Sequence, residues 1–217
     1  MTLRRFRGLL FEATRDAFKP LRTMPIIVAA AIMFAGTAAA QNSENDALKR
    51  QPFFSAKLSG FNEVIFVAGQ AGPPLVAPAL RGAISTPAQG RFTAILDGPA
   101  DMIQYELSLE GLVAPVTQAH IHFGQRHTVG GIIVWLCQTT GTQAPEAVRS
   151  STPACPSEGT VTGTITPAQV LAQDAQGFAA GDFDELVRAI RHGAAYANVH
   201  SEKFPNGEIR GQVRDNR

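Results

Sequence analysis

Nine short segments of apolar or alternating character constrain the fold of this chain more than any other feature. Gly, Pro and polar residues separate them, and segments 91–96 and 103–109 alternate apolar with polar residues, as strands with one buried face do. Residues 97–101 have the turn chemistry of a hairpin loop. The pattern predicts an all-β sandwich or barrel. The predicted strands are 53–58, 80–85, 91–96, 102–109, 117–123, 132–137, 160–166, 194–200 and 208–213.

Two helical signals interrupt the strand pattern. Thr166 as an N-cap, followed by Pro167, predicts a short helix over 168–173. A second helix is predicted to begin after Asp182 and to end at Gly193. We therefore expect one or two short helices inserted between the strands.

The N-terminal 40 residues have the pattern of a secretory signal peptide. They carry six of the 19 Lys and Arg residues, followed by an uncharged stretch with its apolar centre at 26–35, and they end in Ala38-Ala39-Ala40. We expect export to the periplasm or the extracellular space. The alternative is an uncleaved anchor, which would be the only membrane contact. Residues 41–51 are expected to be a flexible lead-in, and 52–217 a single domain.

The charge of the chain changes when this leader is set aside. Only two of the 18 Asp and Glu residues lie in 1–40, so the remainder carries a formal charge near −3 instead of +1. No basic block remains there, which argues against nucleic-acid binding.

Cys137 and Cys155 are the only cysteines, and both lie in the part expected to be exported. An even count in an oxidising compartment favours a disulfide. The alternative is a soft copper site that uses the two thiols.

Two histidines occur in the stretch 119–124, which reads Ala-His-Ile-His-Phe-Gly. Because side chains of a strand point to the same face at every second residue, His120 and His122 should share one face, about 7 Å apart. Two imidazoles on one face can chelate a metal ion. Without a metal, they would be polar residues on a half-exposed strand, with Ile121 in the core.

A second stretch repeats this pattern. Residues 197–200, Ala-Asn-Val-His, follow 119–122 at an offset of 78, and each copy continues through a polar turn into a Gly-x-Ile stretch. If these two strand–turn–strand units lie side by side in one sheet, His200 joins His120 and His122. Imidazole ligands favour copper(II), zinc or nickel over calcium or magnesium, so we expect copper or zinc as the metal, and otherwise no cofactor.

Three further residues have two interpretations each. Glu63 and His127 are candidates to complete a metal site. Alternatively, Glu63 forms a structural ion pair with Arg210, and His127 faces solvent in a turn. His192, at the predicted C-terminus of the second helix, is assigned a structural role because a cation suits that end of the helix dipole.

Five ordered motifs resemble the chordin-type (CHRD) domain. Ile65 stands where the family usually has Pro, Ser201 where Thr is usual, and the Pro- and Gly-rich insert 68–79 has no counterpart in the motifs. The motifs are 54–64, Tyr105-x-Leu107-x-x-x-Gly111-Leu112, 119–124, 195–201 and 204–212.

This resemblance implies a Greek-key β-sandwich, immunoglobulin-like or superoxide dismutase-like, outside the cytoplasm. In animal chordins, such domains accompany modules that bind growth factors. The expected partner of this chain is an unknown protein or, on the basis of its histidines, a metal ligand. The His-x-His strand also resembles copper/zinc superoxide dismutase, but the two-metal enzyme needs more histidines than the five of this chain.

Three functional hypotheses follow. The first is a non-catalytic binding module with a histidine metal site, and the second is a structural or protein-interaction domain without metal. The third is a copper-dependent, superoxide dismutase-like redox enzyme. No nucleophile elbow, phosphate-binding glycine loop or zinc-protease helix motif occurs in the sequence. We therefore expect a binding module rather than an enzyme, with no catalytic residues.

Overall fold

The computed structural model describes residues 53–67 and 79–216. The predicted signal peptide, the lead-in 41–51 and residues 68–78 of the insert lie outside the described residues. All described residues belong to one compact unit, Leu48–Arg217. Within the described ranges, no helix has the length and apolar character needed to cross a membrane.

Strands dominate the described residues, and two short α-helices interrupt them. The helices are α1 (Glu146–Arg149) and α2 (Phe183–Arg191), and single 3-10 turns occur at Gly60–Asn62, Pro167–Gln169 and Asp174–Gln176. The strands are β1 (Phe53–Ser59), β2 (Val64–Val67), β3 (Ala79–Gly82), β4 (Gln89–Asp97), β5 (Met102–Glu110), β6 (Val116–Phe123), β7 (Gly131–Gln138), β8 (Gly159–Ile165), β9 (Ala195–Ser201), β10 (Ile209–Gln212) and β11 (Arg214–Asp215).

One curved antiparallel sheet contains most of the strands. Its order is β7-β6-β9-β10-β1-β4-β5-β8, with β11 paired to β1, while β2 and β3 form a separate two-stranded sheet. Strand β1 lies between β4 and β10, so the beginning and the end of the described chain are neighbours in the sheet. Such non-consecutive neighbours are typical of Greek-key connections. The predicted all-β fold with short inserted helices is confirmed.

Two hydrogen bonds join β7 to the opposite end of the sheet and give the molecule its barrel-like form. The Tyr105 hydroxyl on β5 donates to the Leu136 carbonyl at 2.6 Å, and the Leu171 amide after β8 donates to the Ile133 carbonyl at 2.9 Å. Neither Ile133 nor Leu136 has a partner residue in β6, because the β6–β7 register shifts twice there. The extra residues of these β-bulges thus offer their carbonyls to the opposite side of the fold.

The apolar core lies on the inner face of this sheet. Alternate residues of β1, β4 and β5 point inward, and Phe54, Phe92 and Leu107 are at most 1% exposed. Helix α2 adds Leu186 and Ile190 to the same core. Burying a side chain of this size stabilises the fold by roughly 1.5–3 kcal/mol relative to leaving it exposed.

The helix predictions have different outcomes. Helix α2 lies where predicted, and its N-cap, Asp182, accepts a hydrogen bond from the Glu185 amide at 3.0 Å. The helix predicted over 168–173 is only the 3-10 turn at 167–169, because the Leu171 amide is used for pairing with β7. Tertiary hydrogen bonding therefore overrides the local helix signal there.

The Cys137–Cys155 disulfide is present and joins β7 to the segment after α1. It closes the loop that contains α1, a helix that the sequence pattern did not predict. In the chain-entropy model, a loop of this size contributes about 3 kcal/mol of stability.

Candidate metal centre

Strands β6 and β9 bring the three predicted histidines together. The strands pair antiparallel, with His120 opposite Asn198 and Gln118 opposite His200. Side chains of a strand point alternately to its two faces. Ile121 points to the inner face, so the even-numbered residues of both strands, including the three histidines, point to the outer face.

The three imidazoles form one compact group. Their candidate ligand nitrogens all lie within 4.8 Å of one another. The ring centroid of His120 is 5.5 Å from that of His122 and 5.1 Å from that of His200. A single ion with metal–nitrogen bonds of about 2 Å could contact all three after a modest inward movement of the rings.

Two backbone carbonyls orient two of the rings. His122 Nδ1 lies 2.9 Å from the Gly130 oxygen, and His200 Nδ1 lies 2.9 Å from the Pro205 oxygen. Because a carbonyl only accepts, each Nδ1 must be the donor, which leaves the Nε2 lone pair free. Metal-ligating histidines are commonly held in this way, with the second ring nitrogen bound to a carbonyl or carboxylate.

Gly130 makes one of these contacts possible. A Cβ at this position would overlap the carbonyl of Phe123, so only glycine lets the 124–130 loop fold back over β6. The same residue donates its amide to the Tyr196 hydroxyl at 3.1 Å. One glycine thus positions both His122 and the ring that stacks on it.

Four buried ring nitrogens of this group have no hydrogen-bond partner. They are His120 Nδ1 and Nε2, His122 Nε2 and His200 Nε2. Leaving a buried polar atom unpartnered costs about 1–3 kcal/mol, so such atoms are rare in folded proteins. One candidate ligand nitrogen from each ring lies within 4.8 Å of the other two, a grouping that fits a transition metal ion.

Burial keeps the three rings neutral. It lowers the pKa of His122 to about 4 and places the pKa of His120 and His200 below the usual value, with the neighbouring histidines adding to the effect on His120. Neutral imidazole is the form that binds metal ions. The group is therefore ready to coordinate at neutral pH without losing protons first.

Aromatic side chains surround the histidines. Trp135 of β7 contacts His120 edge-on at 4.3 Å between centroids, and Tyr196 stacks on His122 at 4.7 Å. The Arg210 guanidinium lies over the Tyr196 ring, 3.3 Å from its centroid. These rings restrict the approach of water and fix the orientation of the ligands.

Glu63 and Arg210 are both buried beside this group. The Glu63 carboxylate accepts from the Val64 amide at 3.0 Å and from the Asn198 side chain at 2.6 Å. Arg210 donates to the carbonyls of Thr128 and Gln125 instead, at 2.7 and 3.0 Å.

The charges of Glu63 and Arg210 still interact. Burial raises the pKa of Glu63 to about 7, against the opposing influence of the Val64 hydrogen bond, the Arg210 charge and the Asn198 hydrogen bond. Gly207, at φ +121, lies so close to this carboxylate that a Cβ there would be 2.7 Å from one of its oxygens. Glu63 thus ties the start of β2 to β9 and to the turn before β10.

The other two histidines lie outside the three-histidine group. His127 is exposed in the 124–130 loop, at φ +65, and His192 caps the C-terminus of α2. The described residues that form the group are His120, His122 and His200.

The sequence patterns did not assign Tyr196, Asn198 or Trp135 to the site, and they indicated Arg210 only as a partner of Glu63. Tyr196 and Asn198 precede His200 by four and two positions, so the strand period alone would have placed them on the histidine face. The roles of Trp135 and Arg210 depend on the β6–β7 bulges and on the fold of the 124–130 loop, which carry no local sequence signal.

Comparison with known families gives one match, and it covers most of the chain. The CHRD domain family matches residues 54–213. The chain belongs to the CHRD-domain family. All three clustered histidines, both cysteines and Glu63 of this CHRD domain fall within the match. Searches among curated proteins and among solved structures find no match.

Proposed function

We propose that this CHRD-domain protein is an exported, non-catalytic transition-metal-binding module. His120, His122 and His200 would hold copper or zinc through their ring nitrogens. The observation that carries the proposal is the grouping of three buried imidazoles, each of which has a nitrogen without a hydrogen-bond partner and offers one ligand nitrogen within 4.8 Å of the other two. Nitrogen-only ligand sets favour copper(II) and zinc over calcium and magnesium.

The chain would bind the metal without reorganising the fold. Hydrogen bonds from His122 and His200 to backbone carbonyls fix two rings, and the contact with Trp135 restrains the third. Rigid rings lose little entropy on binding. A bound metal would supply Lewis-acid or redox chemistry, but the neighbours of the group are aromatic side chains and Asn198, and Asn198 and Glu63 are hydrogen-bonded to each other.

Titration of the purified, chelator-treated chain with copper(II) and zinc, offered separately, tests this proposal. We expect one equivalent of metal to bind, and His120→Ala, His122→Ala and His200→Ala to weaken it by at least about 100-fold, more than the loss of an outer-shell partner does. His192→Ala is the matched control and should leave the affinity unchanged. His127→Ala and Glu63→Gln test whether either residue completes the coordination.

Either of two results would refute the metal site. One is no binding tighter than about 0.1 mM, which corresponds to roughly −5.5 kcal/mol. The other is a loss of metal affinity in the His192→Ala control as large as in the other three variants, since the control leaves the three-histidine group intact.

One observation favours a second candidate, a protein-interaction domain without metal. Phe66 of β2 and Leu80 of β3 are directly paired and are 54% and 52% exposed, and Phe61 is 78% exposed. Adjacent exposed apolar side chains are characteristic of contact surfaces. If the titration shows no metal, exchange of Phe66 and Leu80 for Ser should abolish association with a partner and leave folding intact.

The signal-peptide pattern supports the proposed export. Cleavage after Ala40 should give a mature chain that begins at Gln41. N-terminal sequencing of the protein from the extracytoplasmic fraction tests this. An intact N-terminus in the membrane fraction would indicate the uncleaved anchor instead.

A further inference from the structure

A cleft of about 430 Å³ opens on the outer face of the sheet, beside the histidine group. Its walls are β1, β10, β11, the turn after β1 and the 124–130 loop. A volume of this size is typical of sites for small molecules. The metal site described above does not use it.

The cleft is strongly basic. Four of its nine lining residues are Lys or Arg, one is His127, and none is acidic. Lys57, Arg126 and Arg214 form no ion pair with any residue in the described part of the chain. The carboxylate of Glu63 is engaged by Val64 and Asn198. Uncompensated charge of one sign in a concave surface raises the local concentration of counter-ions.

Arg210 gives the cleft a fixed cation at its base. Its side chain is held between the Tyr196 ring and the carbonyls of Thr128 and Gln125, and the residue is 2% exposed. Its hydrogen-bond acceptors are neutral carbonyls, and the carboxylate whose charge interacts with it is that of Glu63, which is buried and does not line the cleft. The same two hydrogen bonds hold the loop that carries Arg126 and His127 against the cleft, so the Arg126 side chain is positioned before any ligand arrives.

Polar side chains add hydrogen-bonding capacity. The Ser55 hydroxyl oxygen accepts from the Asn216 side chain at 2.8 Å, which leaves its hydrogen available to a ligand. Asn62 lies exposed in the turn after β1. Guanidinium forks with neighbouring hydroxyl and amide donors are the groups that proteins use to bind phosphate, sulfate and carboxylate oxygens.

We infer that this cleft binds a small multivalent oxyanion, a ligand that carries a phosphate, a sulfate or several carboxylates. The site needs no metal, since none of its lining residues belongs to the three-histidine group. It lies near that group because the Tyr196 ring contacts Arg210 on one side and His122 on the other. The inference therefore does not depend on the proposed metal site, and each can be tested without the other.

Calorimetric titration of the chelator-treated full chain at low ionic strength tests the inference. The probes are inorganic phosphate, inorganic sulfate and citrate, with acetate at matched ionic strength as the monovalent comparison. We expect one saturable site for at least one multivalent probe, with a Kd of about 1 mM or tighter, and no saturation by acetate. Which probe binds best identifies the ligand class.

Substitution of the exposed basic residues locates the site. The triple variant Lys57→Gln, Arg126→Gln, Arg214→Gln should weaken binding by about tenfold or more, since each exposed ion pair contributes up to about fivefold in affinity. Arg188→Gln, which removes one positive charge from α2 outside the cleft, is the control for a single charge change and should leave binding within about twofold.

Three results would overturn the inference. They are no saturable binding of any multivalent probe, binding of acetate as tight as that of the multivalent probes, and a loss of affinity in Arg188→Gln as large as in the triple variant. Circular dichroism of the triple variant verifies its fold. If that variant is unfolded, Arg126→Gln alone, on an exposed loop, replaces it, and an unchanged affinity in this single variant would also overturn the inference.

Discussion

The two faces of strands β6 and β9 are both buried, but for different reasons. The inner face carries Ala119, Ile121, Ala197 and Val199, all 0% exposed within the apolar core. The outer face carries His120, His122, Asn198 and His200, at most 8% exposed. Apolar burial on the inner face stabilises the fold, whereas the outer face leaves ring nitrogens unpartnered at an energetic cost.

Loops produce the burial of the outer face. The carbonyls that hold His122 and His200 come from Gly130 and Pro205, in the segments that follow β6 and β9. A sheet of this type commonly leaves its second face in water. The proposed metal ion would account for loops that fold over His122 and His200 on this face.

Shortening Ile121 should have the largest effect on stability. Ile121→Ala removes buried methyl groups and leaves a cavity, so the free energy of unfolding should fall by about 2–5 kcal/mol. Urea unfolding measures this. Metal affinity per folded molecule should be unchanged, because the side chain points away from the histidines. A variant with full stability would show that the inner face is not the main source of stability.

Removal of the disulfide should have a somewhat smaller effect. Cys137 lies opposite Ala119 on the inner side, and its bond to Cys155 closes the loop that contains α1. Replacing both cysteines with Ser should lower the free energy of unfolding by about 3 kcal/mol. The wild-type protein under reducing conditions is the comparison. Metal binding that depends on the cysteines would instead favour a thiolate site.

The contribution of Glu63 to stability should change with pH in the opposite direction to that of an ordinary carboxylate. Its pKa is raised from 4.5 to about 7, so the folded state binds more protons than the unfolded state between these values. Its contribution to stability is present at pH 4.5 and is lost as the pH rises through 7.

Glu63→Gln tests this sign. The free energy of unfolding of the metal-free variant should rise relative to wild type by up to about 3 kcal/mol between pH 4.5 and 7.5. Thermal or urea unfolding across this range measures the difference, with Glu106→Gln on the exposed side of β5 as a control. A constant difference would mean that folding does not raise the pKa of Glu63.

The smallest stability effect should come from a histidine. In the metal-free protein, His120→Leu replaces two unpartnered nitrogens by an apolar side chain of similar size, so the free energy of unfolding should rise by at least about 1 kcal/mol, the lower end of the cost of such atoms. Metal should then stabilise wild type by about 2.7 kcal/mol at 100 times its Kd, and His120→Leu not at all. A large loss of stability in the metal-free variant would mean that His120 is needed for the stability of the fold rather than for metal binding.

The repeated strand patterns predicted much of the fold and the histidine group. The nine predicted segments are strands of the structure, within a few residues at each end, because alternation directly reports a half-buried strand. The missed elements are short: β2 and β11 are four and two residues long, and α1 is four. The repeat at 119–122 and 197–200 placed three histidines together because a period of two fixes their face.

The surroundings of the site could not be predicted in the same way. The neighbours of Arg210 are carbonyls of the 124–130 loop, and backbone carbonyls carry no sequence identity. Trp135 faces His120 only because the β6–β7 register shifts at that point. These contacts depend on how distant strands pair and on how the 124–130 loop folds, and neither can be read from the local sequence.

X-ray absorption at the metal edge of the copper- or zinc-loaded chain tests the central claim most directly, because it counts the ligand atoms. The account predicts three imidazole nitrogens at about 2.0–2.1 Å, and two in His200→Ala. A first shell of oxygen or sulfur atoms, or a spectrum that does not change in His200→Ala, would contradict it.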